Sequence, residues 1–329
     1  MADWISPVRD TDARALAQID ALLAAEGLRR DRSLDYTCAL YDEDGQIIGT
    51  GSCFGNTLRC FAVSRAHQGE GLLNEIISHL TAVQVERGNT HLFLYTKPAS
   101  AKFFRDLGYY EIARVEGVLV FMENRKTGFS GYLRALEATR REGSSAAVVM
   151  NANPFTYGHQ YLVEQAAAAC DTLHLFVVSE DKSQVPFSVR KRLVQAGTAH
   201  LSNVVLHDSG PYIISAATFP SYFLKDEAAV VEGQARLDLT VFTKIAQVLG
   251  VTARYVGDEP TSPTTGIYNQ VMASELPKAG IACHILPRKE YQGVPISASI
   301  VRARMRVGDF DAISHLVPPA TLQYLRDSK

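Results

Sequence analysis

Apolar and polar positions follow different patterns in the two halves of the chain. In the first half, three short strand-like runs, two of them joined by an Asp44-Gly45 turn, predict an antiparallel meander, and amphipathic stretches around them predict helices. The predicted helices are residues 12–27, 68–86 and 100–107, and the predicted strands are residues 36–41, 47–54, 57–63, 91–96, 109–114 and 118–122. The first half therefore predicts an α+β domain.

The second half alternates apolar strand-like runs with helical periodicity, which predicts an α/β fold with a parallel sheet covered on both faces by helices. The predicted strands are residues 146–151, 173–178, 203–207, 229–232, 253–257 and 282–286, and the predicted helices are residues 158–170, 188–200, 216–225, 238–249 and 265–276. Ligands of such sheets bind beyond the carboxyl ends of the strands. We therefore expect the chemistry in the loops at 151–156, 179–183 and 257–263.

A length of 329 residues exceeds what a single hydrophobic core usually supports, so two domains are expected. Residues 124–143 are mostly polar and charged, with a few apolar positions at helical spacing, and predict a short linker helix. The expected division is a first domain of residues 1–123, a linker of residues 124–143 and a second domain of residues 144–329.

Charge, cysteine content and hydropathy exclude several classes of protein. The net charge is -2, and neither half has the basic excess typical of proteins that bind nucleic acid or an anionic membrane. The five cysteines show no Cys-x-x-Cys spacing, so we expect reduced core thiols rather than disulfides or a metal site. MADWISPVRD contains no apolar export segment, and no stretch is long enough to span a bilayer, so a cytoplasmic protein is expected.

The stretch from Ala146 to Gln165 is the strongest candidate for a functional site. Its apolar start predicts a strand buried on both faces, and a polar turn then leads into a helix that begins near Thr156. Gly158 lets the backbone approach a ligand closely, and His159 lies in the first helical turn. Backbone N–H groups, the positive end of the helix dipole and an imidazole therefore converge on one point, which predicts a phosphate site.

A second stretch near the C-terminus, residues 296–302, predicts another helix start. Ser297 and Ser299 are suited to cap this helix, and Arg302 on its first turn can bind outer phosphates. Ordinary helix caps and a structural histidine would explain either motif alone. Their joint presence favours a triphosphate site.

The two motifs resemble those of the nucleotidyltransferase superfamily, Thr/His-x-Gly-His and Ile-Ser-x-Ser/Thr-x-x-Arg. The resemblance implies a Rossmann-like domain in which His159 and Thr156 serve the α- and β-phosphates, and Arg302 serves the β- and γ-phosphates. Lys182, after the second strand, is a candidate for the α-phosphate or a carboxylate, with a solvated loop lysine as the alternative. Further candidate nucleotide-binding residues are Asn151, Asn153, Phe155, Gly158, Gly257, Asp258, Glu259, Ile296, Ser297 and Ser299. Asn269 is left open, and Arg190 and Arg192 are expected at the surface.

The element order of the first half resembles the GNAT family of acyltransferases, and KFFRDLGY at 102–109 is similar to that family's late helix-to-strand segment. The corresponding pyrophosphate loop is residues 68–73, in which Leu73 stands where the family pattern has a small residue. We expect a GNAT-like domain that binds a coenzyme-A-like arm without transferring acetyl. A purely structural role is the alternative.

A narrower resemblance covers almost the whole chain. NPFTYGHQYLVEQA at 153–166, ATFPSYFLKDE at 217–227, QARLDLTVF at 234–242 and YVGDEPTSPTTGIYNQ at 255–270 resemble the citrate lyase ligase family. The resemblance implies that ATP, with Mg²⁺, activates acetate as acetyl-adenylate. The acetyl group then passes to the thiol of the phosphoribosyl-dephospho-coenzyme A group on the lyase's acyl-carrier subunit. Two alternatives remain: an adenylyltransferase acting on a phosphorylated small molecule, and a non-catalytic module that binds a carrier protein.

Overall fold

The computed structural model describes residues 4–179, 183–213, 219, 220, 222, 227–258 and 263–328. The chain forms two compact units, one of Met1–Ser130 with Thr218–Gly233 and one of Gly131–Ala217 with Gln234–Lys329. Residues 218–233 therefore belong to the first unit although they lie in the second half of the sequence. The domain boundaries at 123 and 143 stay a prediction.

The first unit contains a seven-stranded sheet in the order β1-β2-β3-β4-β5-β7-β6. Its elements are β1 (Trp4–Pro7), α1 (Ala13–Ala25), β2 (Tyr36–Tyr41), β3 (Ile47–Phe54), β4 (Thr57–Val63), α2 (Leu72–Glu86), β5 (Phe93–Thr96), α3 (Ala101–Asp106), β6 (Tyr110–Val115) and β7 (Leu119–Glu123). Only β4 and β5 pair in parallel, through Thr57 with Phe93 and Leu58 with Leu94. The predicted meander β2-β3-β4 is confirmed.

Helix α2 lies close against β3 because two glycines leave room for its side chains. A Cβ atom at Gly51 would come within 2.5 Å of the Ile76 side chain, and one at Gly49 within 2.8 Å of the same residue. Ile76 and Leu80 are buried in the core between this helix and the sheet. The packing holds the N-terminus of α2, which follows Gly71 in a left-handed conformation, near the ends of β4 and β5.

The second unit contains a five-stranded, fully parallel sheet in the order β10-β9-β8-β11-β12. Its strands are β8 (Ser145–Met150), β9 (Thr172–Val177), β10 (Val204–Asp208), β11 (Val251–Gly257) and β12 (Ala282–Leu286), followed by the hairpin β13 (Glu290–Tyr291) and β14 (Val294–Pro295). The strand order reverses between β8 and β11. Parallel α/β sheets bind ligands at this kind of switch point, beyond the carboxyl ends of the strands.

Two helices cross the division between the units: α4 (Gly128–Glu137) and α7 (Glu227–Leu249). The first residues of each helix belong to the first unit, and the rest belong to the second. The other helices of the second unit are α5 (Tyr157–Ala168), α6 (Phe187–Thr198), α8 (Pro263–Glu275), α9 (Ala298–Arg306), α10 (Phe310–Ile313) and α11 (Pro319–Asp327). The predicted strand at 229–232 is wrong, because these residues form the start of α7. A short apolar run does not by itself distinguish a strand from a buried helix. The helix predicted at 216–225 falls mostly outside the described residues.

The cysteines and the hydropathy of the helices can also be compared with the sequence. All five cysteines are free thiols, and Cys38, Cys53 and Cys60 are buried, as predicted. Across the part of the chain that the structure describes, no helix combines the length and the hydropathy needed to cross a bilayer.

Candidate active site

A cavity of about 300 Å³ lies in the second unit at the carboxyl ends of β8 and β11, where the strand order reverses. Its walls come from the end of β8, the start of α5, the end of β11, the middle of α8 and the segment that follows β12. Thr156, Gly158 and His159 of the first motif and Ile296 of the second line the same cavity. The structure therefore brings the two sequence motifs together.

Helix α5 begins with a reciprocal cap between Thr156 and His159. The His159 N–H donates to Thr156 Oγ1 at 3.3 Å, and the Thr156 N–H donates to His159 Nδ1 at 3.1 Å. The Tyr157 N–H donates to the Leu316 carbonyl at 2.9 Å. Because these bonds occupy most of the first N–H groups, the helix N-terminus offers a ligand fewer backbone donors than the sequence predicts, chiefly the Gly158 N–H.

The His159 ring is held as a neutral hydrogen-bond donor. Burial, followed by the positive charges of Arg288 and Arg302, lowers the pKa of His159 from 6.5 to about 4. Since Nδ1 accepts the Thr156 N–H, the ring proton of the neutral form lies on Nε2. His159 thus presents an uncharged N–H donor at neutral pH, with two guanidinium groups nearby.

Arg302 ties the second motif to the first. It donates from Nη1 to the Asn153 carbonyl at 2.6 Å and from Nη2 to Ser299 Oγ at 3.2 Å. Gly158 allows the same approach from the other side, because a Cβ atom there would lie 3.0 Å from the Ile296 carbonyl oxygen. These contacts fix the start of α9 against the start of α5.

Ser297 and Ser299 make hydrogen bonds within the start of α9. Ser297 is the N-cap of α9 and accepts the Ser299 N–H at 3.1 Å, while Ser299 Oγ accepts from Arg302. The cavity is lined by Ala298, between them, rather than by either serine. Their contribution to a ligand site is therefore the orientation of α9 and Arg302.

The asparagines of the first motif are held by the protein itself. Asn151 lines the cavity, and its side-chain and main-chain oxygens accept from Arg190 Nη1 at 2.8 and 2.7 Å. Asn153 Oδ1 accepts the Val185 N–H at 3.0 Å. The surface position expected for Arg190 is wrong: its side chain is buried and also donates to the Val178 carbonyl. Its guanidinium satisfies carbonyl groups of the loops that follow β8 and β9.

The end of β11 presents Gly257 to the cavity, and Asn269 of α8 donates to the Gly257 carbonyl at 3.1 Å. Asp258 is exposed beyond this strand. Phe155 is fully buried in the core of the unit, and its ring stacks on the His159 ring with 5.8 Å between centroids. This contact helps to fix the position of the imidazole. Lys182 and Glu259 lie outside the described residues.

Three basic side chains of the cavity were not identified from the sequence. Arg288 and Lys289 follow β12; Arg288 Nε donates to the Asp258 carbonyl at 2.7 Å, and Lys289 lies over the Tyr157 ring at 5.6 Å. Arg254 lies within β11 and is buried. A charged residue in the middle of an apolar strand was the available signal for Arg254, since such a residue is rarely buried without a partner. No local motif indicated Arg288 or Lys289.

The first unit has a separate cavity of about 580 Å³ at the N-terminus of α2. Gln68, Gly69 and Gly71 of the predicted pyrophosphate loop line it, together with Lys97 and several aromatic side chains. Leu73 also lines this cavity and packs against the core of the unit. The loop and the cavity coincide, as the GNAT resemblance implies.

Both units of the chain match known protein families. A family model described as the citrate lyase ligase C-terminal domain matches residues 145–325, and one described as the acetyltransferase (GNAT) family matches residues 3–109. The chain is 39% identical over 332 residues to the citrate (pro-3S)-lyase ligase of Escherichia coli strain K12, an alignment that covers 99% of this chain and 94% of that protein. It is 43% identical over 286 residues to the ligase of the same name from Klebsiella pneumoniae, covering 85% of this chain and 84% of that protein.

The chain belongs to the citrate lyase ligase family. A shorter similarity, 32% identity over 66 residues, links it to the phosphopantetheine adenylyltransferase of Staphylococcus carnosus and covers 20% of this chain and 41% of that protein. The two family models confirm the predicted combination of a GNAT-like first unit and a second unit of the citrate lyase ligase type. The citrate lyase ligase model covers the unit that contains this cavity, so the cavity is the candidate site for ATP-dependent chemistry.

Proposed function

We propose that this chain uses ATP to activate acetate as acetyl-adenylate, releases pyrophosphate, and passes the acetyl group to the thiol of the prosthetic group on the acyl-carrier subunit of citrate lyase. The observation that carries the proposal is the junction of the two motifs, where the neutral donor His159 and the guanidinium groups of Arg288 and Arg302 lie together. Membership of the citrate lyase ligase family supports the choice of acetate as the acid and of the citrate lyase acyl-carrier subunit as the acceptor.

The reaction requires charge stabilisation rather than a protein nucleophile. An acetate oxygen attacks the α-phosphorus of ATP, a new P–O bond forms, and the bond to the β-phosphate oxygen breaks as pyrophosphate leaves. Negative charge grows on the α-phosphoryl oxygens and on the leaving group, where fixed donors are most effective. His159 Nε2 and the Gly158 N–H are proposed to serve the α-phosphate, and Arg302 with Arg288 the outer phosphates.

The acceptor thiol then attacks the acetyl carbonyl carbon as its thiolate, and AMP departs with the oxygen that came from acetate. The thiol proton is lost to solvent. Neither step forms a bond to this chain, so its residues position the reactants and exclude water. Lys182 and Glu259 keep their proposed roles toward the α-phosphate and the nucleotide.

The donor set of the cavity fits ATP, because basic side chains and N–H groups that can bind phosphates line it. Among residues 4–179, 183–213, 227–258 and 263–328, no group of three or more His, Cys, Asp or Glu could hold a metal. Bound together with ATP, Mg²⁺ would be held chiefly by phosphate oxygens and water, as is common at nucleotide sites, and would offset the charge that grows on the leaving pyrophosphate.

The first unit is proposed to hold the coenzyme-A-like arm of the acceptor. Its cavity combines a glycine-containing loop at a helix N-terminus with apolar walls and Lys97, which suits an arm with an apolar body and a phosphate end.

The proposal is tested by measuring pyrophosphate release by the full chain with ATP, Mg²⁺ and a panel of carboxylates. We expect release that depends on acetate and increases when the thiol acceptor is added. Release that ignores every carboxylate would overturn the proposed acid activation.

A second candidate is an adenylyltransferase that acts on a phosphorylated molecule, which the local similarity to phosphopantetheine adenylyltransferase favours. Adding 4′-phosphopantetheine to the same assay, without a carboxylate, distinguishes the two. Pyrophosphate release under those conditions would support the adenylyltransferase.

A further inference from the structure

Three polar side chains meet at the inner wall of the second unit's cavity, each from a different element. Asp238 comes from α7, Arg254 from β11 and Tyr268 from α8. The Tyr268 hydroxyl donates to Asp238 Oδ2, and Arg254 Nη2 lies 3.6 Å from the same oxygen. Arg254 and Tyr268 both line the cavity. None of these three residues belongs to the two phosphate motifs.

Arg254 has more hydrogen-bonding capacity than its surroundings use. Its side chain is only 4% exposed, and its guanidinium carbon lies 4.3 Å from the centre of the Phe242 ring. Within the described chain, Nε and Nη1 have no hydrogen-bond partner. A buried donor without a partner is costly, and the carboxylate of Asp238 is already shared with Tyr268. Nε and Nη1 of Arg254 are therefore available to an acceptor that a ligand brings.

Two apolar side chains line the same cavity as Arg254. Val256 lies two residues after Arg254 on the same face of β11, and Met272 lies one helical turn after Tyr268 on α8. Both line the cavity, and Met272 is buried. A ligand that suits this wall carries a small anionic group and a short alkyl group.

We propose that Arg254 binds the carboxylate of the acid that is activated, and that Val256 and Met272 limit the length of its alkyl group. The inference rests on the proposed function, because it assigns the acid to the cavity that holds the phosphate motifs. The carboxylate accepts from Nε and Nη1 of Arg254, and Asp238 with Tyr268 keeps the guanidinium in place. Arg254 then positions the acid for attack on the α-phosphorus.

The first test compares Arg254→Lys with the full-length wild type in acetate-dependent pyrophosphate release. We expect the KM for acetate to rise about 10-fold or more, since a planar guanidinium is replaced by a single ammonium, while the KM for ATP changes less than about 2-fold. The matched control is Arg236→Gln in α7, which removes an arginine that pairs with Glu275, and neither of these two residues lines the cavity. It should leave both constants unchanged.

Arg254→Lys can fail to fold, because it disturbs a buried ion pair. The double variant Arg254→Met with Asp238→Asn removes both charges together and should fold while showing the same selective loss toward acetate. Equal rises in the KM values for acetate and ATP, or an unchanged KM for acetate, would overturn the assignment while leaving the proposed function in place. A wild type without carboxylate-dependent release overturns both.

The alkyl wall gives an independent test that leaves Arg254 intact. Met272→Ala should shift the preference from acetate toward propionate and butyrate, with little change in the KM for ATP. An unaltered acid profile would contradict the position of the alkyl group. A variant of Arg254 that changes the KM for 4′-phosphopantetheine instead of acetate would assign the guanidinium to a phosphate and overturn the proposal.

Discussion

The two units each place a cavity at the N-terminus of a helix, but they equip it differently. In the first unit α2 follows Gly71, no side chain of the described residues caps the helix, and the walls are largely apolar with Lys97 and Glu26 as charged residues. In the second unit α5 is capped by Thr156, and the cavity gathers His159 and Arg288. The first arrangement offers backbone donors and apolar contact, whereas the second fixes charged and polar side chains.

This difference indicates that the first cavity is suited to bind a ligand and the second to catalyse a reaction. Open N–H groups and an apolar cleft bind a phosphate and the body that carries it without favouring a transition state over a ground state. Preorganised side-chain donors stabilise charge that appears only during reaction. We therefore assign chemistry to the second unit and binding of the acceptor arm to the first.

The largest effect should come from His159→Ala, which removes the neutral donor proposed for the α-phosphate. Pyrophosphate release should fall about 10²-fold or more, as expected when one preorganised donor to a developing anion is lost. His200→Ala, which changes an exposed histidine paired with Glu164, is the control and should remain active. A folded His159→Ala variant that releases pyrophosphate at a near-normal rate would remove the assignment.

Arg302→Ala should weaken ATP binding more than AMP binding, by about 10-fold, because the guanidinium is proposed to pair with the outer phosphates. Binding of both nucleotides can be measured by calorimetry. Arg302 also donates to Asn153 and Ser299. If it acted only by holding these residues in place, its loss would weaken the binding of ATP and AMP equally. Equal loss for ATP and AMP would place this residue outside the phosphate site.

Gly158→Ala tests whether the close contact between the motifs matters. The new Cβ atom would meet the Ile296 carbonyl oxygen at 3.0 Å, so the motifs must separate slightly, and we expect activity to fall about 10-fold. Gly131→Ala, at a helical glycine with open space around its added Cβ, is the control and should be neutral or stabilising. Full activity of Gly158→Ala would show that the contact is not required.

Acid should destabilise the second unit through His174 and His207. Burial lowers the pKa of both imidazoles to about 4, with Arg141 adding to the effect at His174 and His174 at His207. Between pH 6.5 and 4 the unfolded chain binds protons that the native state does not, so stability falls as the pH falls. Replacing both residues by glutamine should reduce that loss by about 2 to 4 kcal/mol, at about 2 kcal/mol for each histidine, measured by denaturant unfolding at pH 7 and pH 5. An unchanged pH dependence would contradict this account.

The smallest effect is expected in the first unit, from Leu73→Gly. If Leu73 crowds the phosphate of a coenzyme-A-type ligand, the variant should bind coenzyme A more tightly, by less than about 10-fold, in spite of lost core packing. Acetate-dependent pyrophosphate release should stay the same, because that reaction is assigned to the second unit. Weaker binding would mean that Leu73 supports the loop rather than obstructing it.

The sequence predicts best where local pattern and structure coincide. The run before Asn151 and the cap at Thr156 are local features, and both the strand and the helix start follow from them. Residues 229–232 were misassigned because an apolar run of that length suits a strand or a helix, and the tertiary contacts decided. That residues 218–233 join the first unit likewise depends on contacts between residues distant in sequence.

The residues of the candidate site also differ in whether the local sequence predicts them. Its motif residues could be found from spacing, but Arg254 and Arg288 could not, because their roles depend on which strands become neighbours. Pairing of β11 with β8 and β12 brings these arginines to the edge where His159 lies. No short motif records that arrangement.

The central claim is that acetate attacks the α-phosphorus of ATP in the second unit. It is tested most directly by supplying oxygen-18-labelled acetate, ATP, Mg²⁺ and the thiol acceptor to the full chain and analysing the nucleotide product by mass spectrometry. The account predicts AMP that carries one oxygen from acetate, since that oxygen stays with phosphorus when the thiol takes the acetyl group. Formation of ADP with labelled phosphate, or of AMP without label, would contradict it.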